Sequence, residues 1–277
     1  RFEEAKKRIQ SGLEKIPNQV NLLTNATDVY RASGDREKSL EYSELLITYH
    51  PDNPSGYIRS SQDLIALKRF DEAQEKIQTG LEKIPNQVNL LTNATDVYRA
   101  SGDREKSLEY SELLITYHPD NWNGYGRAAQ DLVALKRSVE AQEKIQAGLE
   151  KIPNHLNLLS IAVDIYSGND NLEKSLACIN RMITYYPDNS EGYSQLIRLG
   201  YRDESIELVQ RRLKTNPNND LLVLLKDKYF MDKDVIYEDE FLHICGNYDS
   251  TSTTCIVAFN SAAEGLGGLE IEGENFA

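Results

Sequence analysis

Residues 13–53 read LEKIPNQVNLLTNATDVYRASGDREKSLEYSELLITYHPDN, and residues 81–121 repeat them letter for letter. One sequence that must fit two places needs equivalent neighbours at both, which a quasi-one-dimensional stack offers and a single globular core does not. The 68-residue interval contains a shorter one. Pro17, Pro51, Pro85, Pro119, Pro153 and Pro187 stand 34 residues apart. Each closes a helical segment, because proline cannot donate a helix hydrogen bond and disfavours helix in the residue before it. Of the eight prolines only Pro54 falls outside this punctuation and its last, shortened echo at Pro217. A period of 34 selects helix-turn-helix units stacked into a solenoid.

Within one unit, Val20, Leu22, Leu23, Ala26, Val29 and Tyr30 recur at three and four residues, the spacing of an amphipathic helix. Ser33 and Gly34 interrupt it, since glycine accepts the left-handed conformation that ends a helix, and Asp35 is placed to cap the next one. Leu40, Tyr42, Leu45, Leu46 and Tyr49 give the second helix its apolar face. The alternate units follow the same plan with Tyr57, Leu64 and Leu67, then Ala73, Ile77 and Leu81. Ala26, Ala73 and Gly80 fall where two helices must approach closely.

This order of residues resembles the tetratricopeptide repeat family over residues 1–217. The family pattern has a large residue early in the first helix (Leu23, Tyr57, Leu91, Tyr125, Leu159, Tyr193) and then a small one (Ala26, Ser60, Ala94, Ala128, Ala162). An apolar or tyrosine position follows (Tyr30, Leu64, Tyr98, Leu132, Tyr166), with a small residue opening the second helix (Ser39, Ala73, Ser107, Ala141, Ser175). The chain departs from it at Thr27, Ser61 and Thr95, where glycine is usual, and at Ser43 and Ser111, where an aromatic is common. The resemblance implies an all-α, right-handed superhelical solenoid of 34-residue helix-turn-helix repeats over residues 1–232. Arg1-Phe2-Glu3-Glu4-Ala5 aligns with Arg69-Phe70-Asp71-Glu72-Ala73, so the expectation is a fragment that opens on a partial repeat and continues through about six. The sixth unit is four residues short at Gly200-Tyr201-Arg202-Asp203, and a lone helix over 220–230 is expected to cap the stack.

The composition shifts near Met231. From Asp234 to Ala277 there are nine acidic residues and no Lys or Arg, which accounts for −9 of the net −13. Phe241–Cys245 and Thr254–Phe259 are short β-forming runs, followed by a small-residue loop with Gly265, Gly267 and Gly268. Residues 233–277 therefore read as the acidic, strand-containing start of a second, truncated α/β or β domain. Over residues 236–277 this arrangement is faintly similar to the entry of an α/β-hydrolase-like domain, without a nucleophile elbow, a Walker loop or a dinucleotide fingerprint.

Neither part carries the basic stripe that phosphate backbones demand, which argues against nucleic acid as partner. No apolar run approaches the roughly 18 residues that span a bilayer, so membrane insertion is not expected. Cys178, Cys245 and Cys255 are odd in number and lack metal-ligand spacing, which suits a reducing cytoplasm and points to no metal site. His50 and His118 precede unit-closing prolines and His155 follows one; these are turn positions, and no catalytic group or cofactor is expected in the solenoid.

In the family resembled, first helices line a concave surface that receives segments of a protein or peptide partner. Opposite the apolar face of the first helix stand Asn21, Thr24, Asp28 and Arg31, repeated as Asn89, Thr92, Asp96 and Arg99 and then as Asn157, Ser160 and Asp164. The alternate units add Arg59 and Gln62, then Arg127 and Gln130. Amides, hydroxyls and alternating charges at these positions suit backbone hydrogen bonds and ion pairs with an extended peptide. A plainer expectation is a solvated face on which Asp28 pairs with Arg31 one helical step away. The ladder has no lysine, which disfavours the kind of family member that grips a C-terminal carboxylate with lysine, asparagine and arginine. The leading expectation is a protein-interaction scaffold. The alternative is an accessory arm of an enzyme whose hydrolase-like or glycosyl-transferring domain begins after residue 236.

Overall fold

The computed structural model describes residues 2–229 and, in backbone alone, 243–244 and 257–258. Two compact units divide between Tyr185 and Tyr186. The first holds eleven helices: α1 Phe2–Lys15, α2 Val20–Ala32, α3 Arg36–Tyr49, α4 Pro54–Ala66, α5 Phe70–Lys83, α6 Val88–Ser101, α7 Arg104–Tyr117, α8 Trp122–Ala134, α9 Ser138–Lys151, α10 Leu156–Ser167 and α11 Leu172–Tyr185. The second holds α12 Glu191–Arg198, α13 Arg202–Thr215 and α14 Asp220–Tyr229. The helical hairpins follow one another in chain order, as the 34-residue period requires.

The turns are held as the sequence implies. Gly34 and Gly102 take φ of 85° and 88°, and the Asp35 and Asp103 carboxylates accept from the Lys38 and Lys106 amides at 3.1 and 2.9 Å. Gln19 and Gln87 cap α2 and α6, each accepting from a leucine amide at 2.7 Å. The histidines before the prolines have a structural task. His50 Nε2 donates to the Asn18 carbonyl and His118 Nε2 to that of Asn86, both at 2.6 Å, which ties each turn to the one 32 residues earlier.

Small residues set the distance between helices. A Cβ on Gly80 would lie 2.8 Å from Tyr57 Cγ, and one on Gly148 would lie 2.7 Å from Tyr125 Cβ, so these two tyrosines rest directly on bare backbone. Ala26 and Ala73 are wholly buried. Thr27, Ser61 and Thr95, which stand where glycine is usual, are buried too, and each hydroxyl donates to a carbonyl three residues back at 2.6 to 3.0 Å. The hydroxyl is thus satisfied inside its own helix, and the solenoid accommodates it without losing a backbone bond.

In the second unit, α12 is a short helix of eight residues ended by Gly200 at φ 92°. Ser205 donates to the Tyr193 carbonyl at 3.0 Å, Arg212 grips Asp188 at 2.7 and 2.8 Å, and Asn219 caps α14. β1 (His243–Ile244) pairs antiparallel with β2 (Val257–Ala258). The rest of the strand-and-loop reading for 233–277, with its glycine-rich loop and the catalytic domain envisaged after residue 236, falls outside the described residues.

Candidate functional site

In the first unit the even-numbered helices pack on one another in sequence, α2 on α4, α4 on α6, α6 on α8 and α8 on α10, whereas successive odd-numbered helices make no comparable contact. Helices that converge on one side and diverge on the other curve the stack, so the even-numbered helices line its inner face. The exposed amides of Asn21, Asn89 and Asn157 stand at 68-residue steps along that face without a hydrogen bond among the described residues. The Thr24 and Thr92 hydroxyls donate back to the Val20 and Val88 carbonyls, both at 2.8 Å.

The charged members of the ladder are organised differently from the one-step pairing expected. Asp28 does not pair with Arg31; it accepts from Arg59 of the next repeat, and Asp96 likewise accepts from Arg127. Arg31 reaches forward to Asp63, with Nε 2.9 Å from Oδ1 and Nη2 3.0 Å from Oδ2, while its Nη1 donates to Gln62 at 3.0 Å. Arg36 and Ser39 complete the coordination of Asp63 at 2.7 and 2.5 Å. The second block repeats the arrangement with Arg99, Arg104 and Ser107 around Asp131 at 3.1, 2.8 and 2.5 Å, and Arg99 donates to Gln130 at 3.0 Å. Both aspartates are wholly buried. Burial alone would raise the Asp63 carboxyl, but the hydrogen bonds from Arg31, Ser39 and Arg36 outweigh it and hold the group below its ordinary value.

Much of the ladder therefore clamps neighbouring repeats together. The cross-repeat partner wins because a wholly buried carboxylate must be paired, and a bidentate guanidinium satisfies it better than a solvated carboxylate one turn away needs to be satisfied. Asp63 and Asp131 were not among the residues singled out from sequence. Their signal was present all the same: an acid beside Leu64 or Leu132 on an otherwise buried stretch, recurring at 68 residues together with Arg31/Arg36 and Arg99/Arg104. One interval later the three charged positions change together, to Ser167, Leu172 and Leu199.

Six of the sequence-predicted residues do converge on open space. Arg99 from α6, Arg127 and Gln130 from α8, and Asn157, Ser160 and Asp164 from α10 line a cavity of about 350 Å³ together with Trp122, Asn123 and Ile161. Asn21, Thr24, Asp28, Arg31, Arg59, Gln62, Asn89, Thr92 and Asp96 do not reach it. Trp122 is the single tryptophan of the chain and stands where the first block has Pro54. Its ring stacks on His155 with centroids 5.0 Å apart and planes 23° from parallel. Burial pushes the His155 imidazole down from its usual value, and its Nδ1 has no hydrogen-bond partner. Gly126 lies under the site: a Cβ there would stand 2.9 Å from Ile161 Cδ1 and 3.5 Å from Trp122 Cε3. Sixty-eight residues earlier stand Ile58 for Gly126, Asn93 for Ile161 and Gln87 for His155. Sequence reasoning assigned His155 to a turn and passed over Trp122; what marks them is that each departs from the residue 68 positions earlier, Gln87 and Pro54.

Among the described residues no helix is long and apolar enough to cross a membrane, and no group of three or more His, Cys, Asp or Glu side chains is placed to hold a metal ion.

No protein-family model matches the chain. A tetratricopeptide repeat protein from Parabacteroides merdae is similar in structure with a TM-score of 0.56 and 13% identity, over 83% of this chain and 93% of that one. Pseudomonas aeruginosa pilF is similar with a TM-score of 0.52 and 14% identity, over 74% of this chain and 90% of that one. The described helices form a tetratricopeptide-repeat-like solenoid. Among curated proteins, human general transcription factor 3C polypeptide 3 is 22% identical over 158 residues, 54% of this chain. The matched stretch spans only 18% of that relative's length. These neighbours lend no support to a hydrolase-like reading of residues 236–277.

Proposed function

We propose that the inner face of this solenoid is a protein-interaction surface that receives an extended segment of a partner, with the Trp122 cavity as the pocket for one of its side chains. The observation that supports this reading is the convergence of residues from three successive inner helices on one open cavity with an aromatic and aliphatic wall and an amide and guanidinium rim. A wall of Trp122 and Ile161 gains by covering apolar surface, while Asn123, Asn157 and Gln130 offer both donors and acceptors to a peptide backbone. The free amides of Asn21 and Asn89 extend the same chemistry along the groove.

Trp122 supplies its own reporter, since the chain has no other tryptophan. Peptides selected from a random library on immobilised protein are expected to shift its emission on titration. The double variant Trp122→Pro with Gly126→Ile, which installs the residues of the first block, is expected to weaken binding of the same labelled peptides at least tenfold by anisotropy while circular dichroism shows the helicity retained. Peptides that bind the double variant and the Asn157→Ala variant as tightly as the parent would refute the reading.

A further inference from the structure

The divergence of the odd-numbered helices has a consequence on the other side of the stack. Between α7 and α9 lies a groove of about 800 Å³, floored by Leu108, Leu132 and Ala147 and edged by Leu113, which is 38% exposed. Its rim carries five glutamates, Glu105, Glu109, Glu112, Glu140 and Glu143, against only Arg137 and Lys144. Arg137 bridges Glu105 and Glu140 at 3.5 and 2.6 Å, and Lys144 meets Glu112 at 2.6 Å. Glu109 is met only from outside the groove, by Lys106 at 2.9 Å, and Glu143 has no partner among the described residues. The lining thus keeps an excess of three negative charges around an apolar floor.

We infer that this outer groove docks a basic segment of a partner protein, one that inserts an apolar side chain between α7 and α9 and sets lysines or arginines against the glutamate rim. Charge complementarity selects the occupant. An acidic or neutral segment would leave the carboxylates uncompensated, whereas a basic one gains from steering as well as from contact. Two helices of fourteen residues bound a groove about 20 Å long, enough for six or so residues of extended chain. The site lies opposite the inner face and does not depend on the reading given for it.

The groove is also written twice. Ten of its eleven lining residues recur 68 positions earlier, from Glu37 to Lys76, with Thr79 in place of Ala147. The ion pairs recur with them: Arg69 bridges Glu37 and Glu72 at 3.3 and 2.6 Å, and Lys76 meets Glu44 at 2.9 Å. One further contact separates the two, since Ser60 donates to Glu44 at 2.9 Å whereas Ala128 stands at the matching place in the second block. The lining chemistry of the groove is accordingly present a second time between α3 and α5, and the proposal extends to that copy.

The test uses the full chain and a fluorescein-labelled peptide of alternating lysine and leucine, with lysine–glycine and glutamate–leucine peptides as controls. The expected result is saturable binding of two lysine–leucine peptides per chain, at least tenfold tighter than either control. Charge reversal at exposed rim positions, Glu41→Lys, Glu75→Lys, Glu109→Lys and Glu143→Lys together, is expected to abolish it with unchanged helicity. A control of equal net charge, with Glu4, Glu14, Glu82 and Glu173 each changed to Lys, is expected to keep it, as is Trp122→Ala. Equal loss in both quadruple variants would reduce the binding to bulk charge and overturn the proposal. Loss in Trp122→Ala alone would move the segment to the inner face and overturn it too.

Discussion

Two stretches of this molecule are the same sequence up to a point and then part. Residues 13–53 and 81–121 are identical, whereas Pro54–Lys68 and Trp122–Lys136 differ at six of fifteen positions. What the blocks share is the frame: the aspartate caps, the left-handed glycines, the histidine-to-carbonyl ties and the buried Asp63 and Asp131 clamps. What they do not share is a few side chains beside the inner-face ladder, whose polar members Asn21, Thr24, Asp28, Arg31, Arg59 and Gln62 recur unchanged. Pro54 and Ile58 become Trp122 and Gly126, and Asn93 is answered 68 residues later by Ile161; Trp122 and Ile161 form the apolar wall of a cavity on the second block. Framework residues are constrained by neighbours on both sides, so a copy retains them; residues that face the groove are free to change its shape.

The comparison breaks most readily at the clamps. Asp63→Ala is expected to cost about 3 kcal/mol, the lower end for removing one partner of a buried ion pair, because Arg31 and Arg36 still reach solvent. Asp131→Ala is expected to cost the same within error in chemical denaturation; a clear inequality would show that the two frames are not equivalent. The same clamp carries a pH dependence. Since the folded Asp63 carboxyl titrates below its unfolded value, the unfolded chain binds the extra proton, and the stabilisation is complete above about pH 4 and is lost as pH falls through the folded value. Thermal melts in acid are expected to converge for the parent and Asp63→Asn.

Next in size are the bare-backbone contacts. Gly80→Ala and Gly148→Ala place a methyl within 2.9 Å of a buried tyrosine, and each is expected to destabilise by about 1 to 3 kcal/mol through overpacking, despite alanine's better helix propensity. Equal losses at the two sites would sharpen the view that the frame is copied. The smallest effect belongs to the groove-side ion pairs. Asp28 is half exposed, so Asp28→Asn is expected to cost under about 1 kcal/mol, and salt is expected to erase the difference in melting temperature.

The fold was legible because each of its determinants is local. A 34-residue proline period, an aspartate after glycine and apolar residues at three and four spacing are written where they act. The candidate site was legible only in part. Asn157, Ser160, Asp164, Arg99, Arg127 and Gln130 were found by their place on the polar stripe, and they meet at the cavity. Trp122, Ile161 and Gly126 were missed because each reads as an ordinary core or helix residue; their role depends on a neighbour some 35 residues away. Asp63 and Asp131 were missed for the converse reason, since their partners Arg31 and Arg99 were assigned to the peptide-facing ladder.

By itself, then, the sequence determined the period, the turns, the caps and the polar stripe, all of which depend on contacts within one hairpin. Only the tertiary structure decided burial and pairing. Asp28 stands one helical step from Arg31 yet accepts from Arg59, while Arg31 reaches the buried Asp63 of the next repeat. Desolvation, and with it the choice of partner for every charge, is set by what the next repeat brings alongside, and that is a property of the stack.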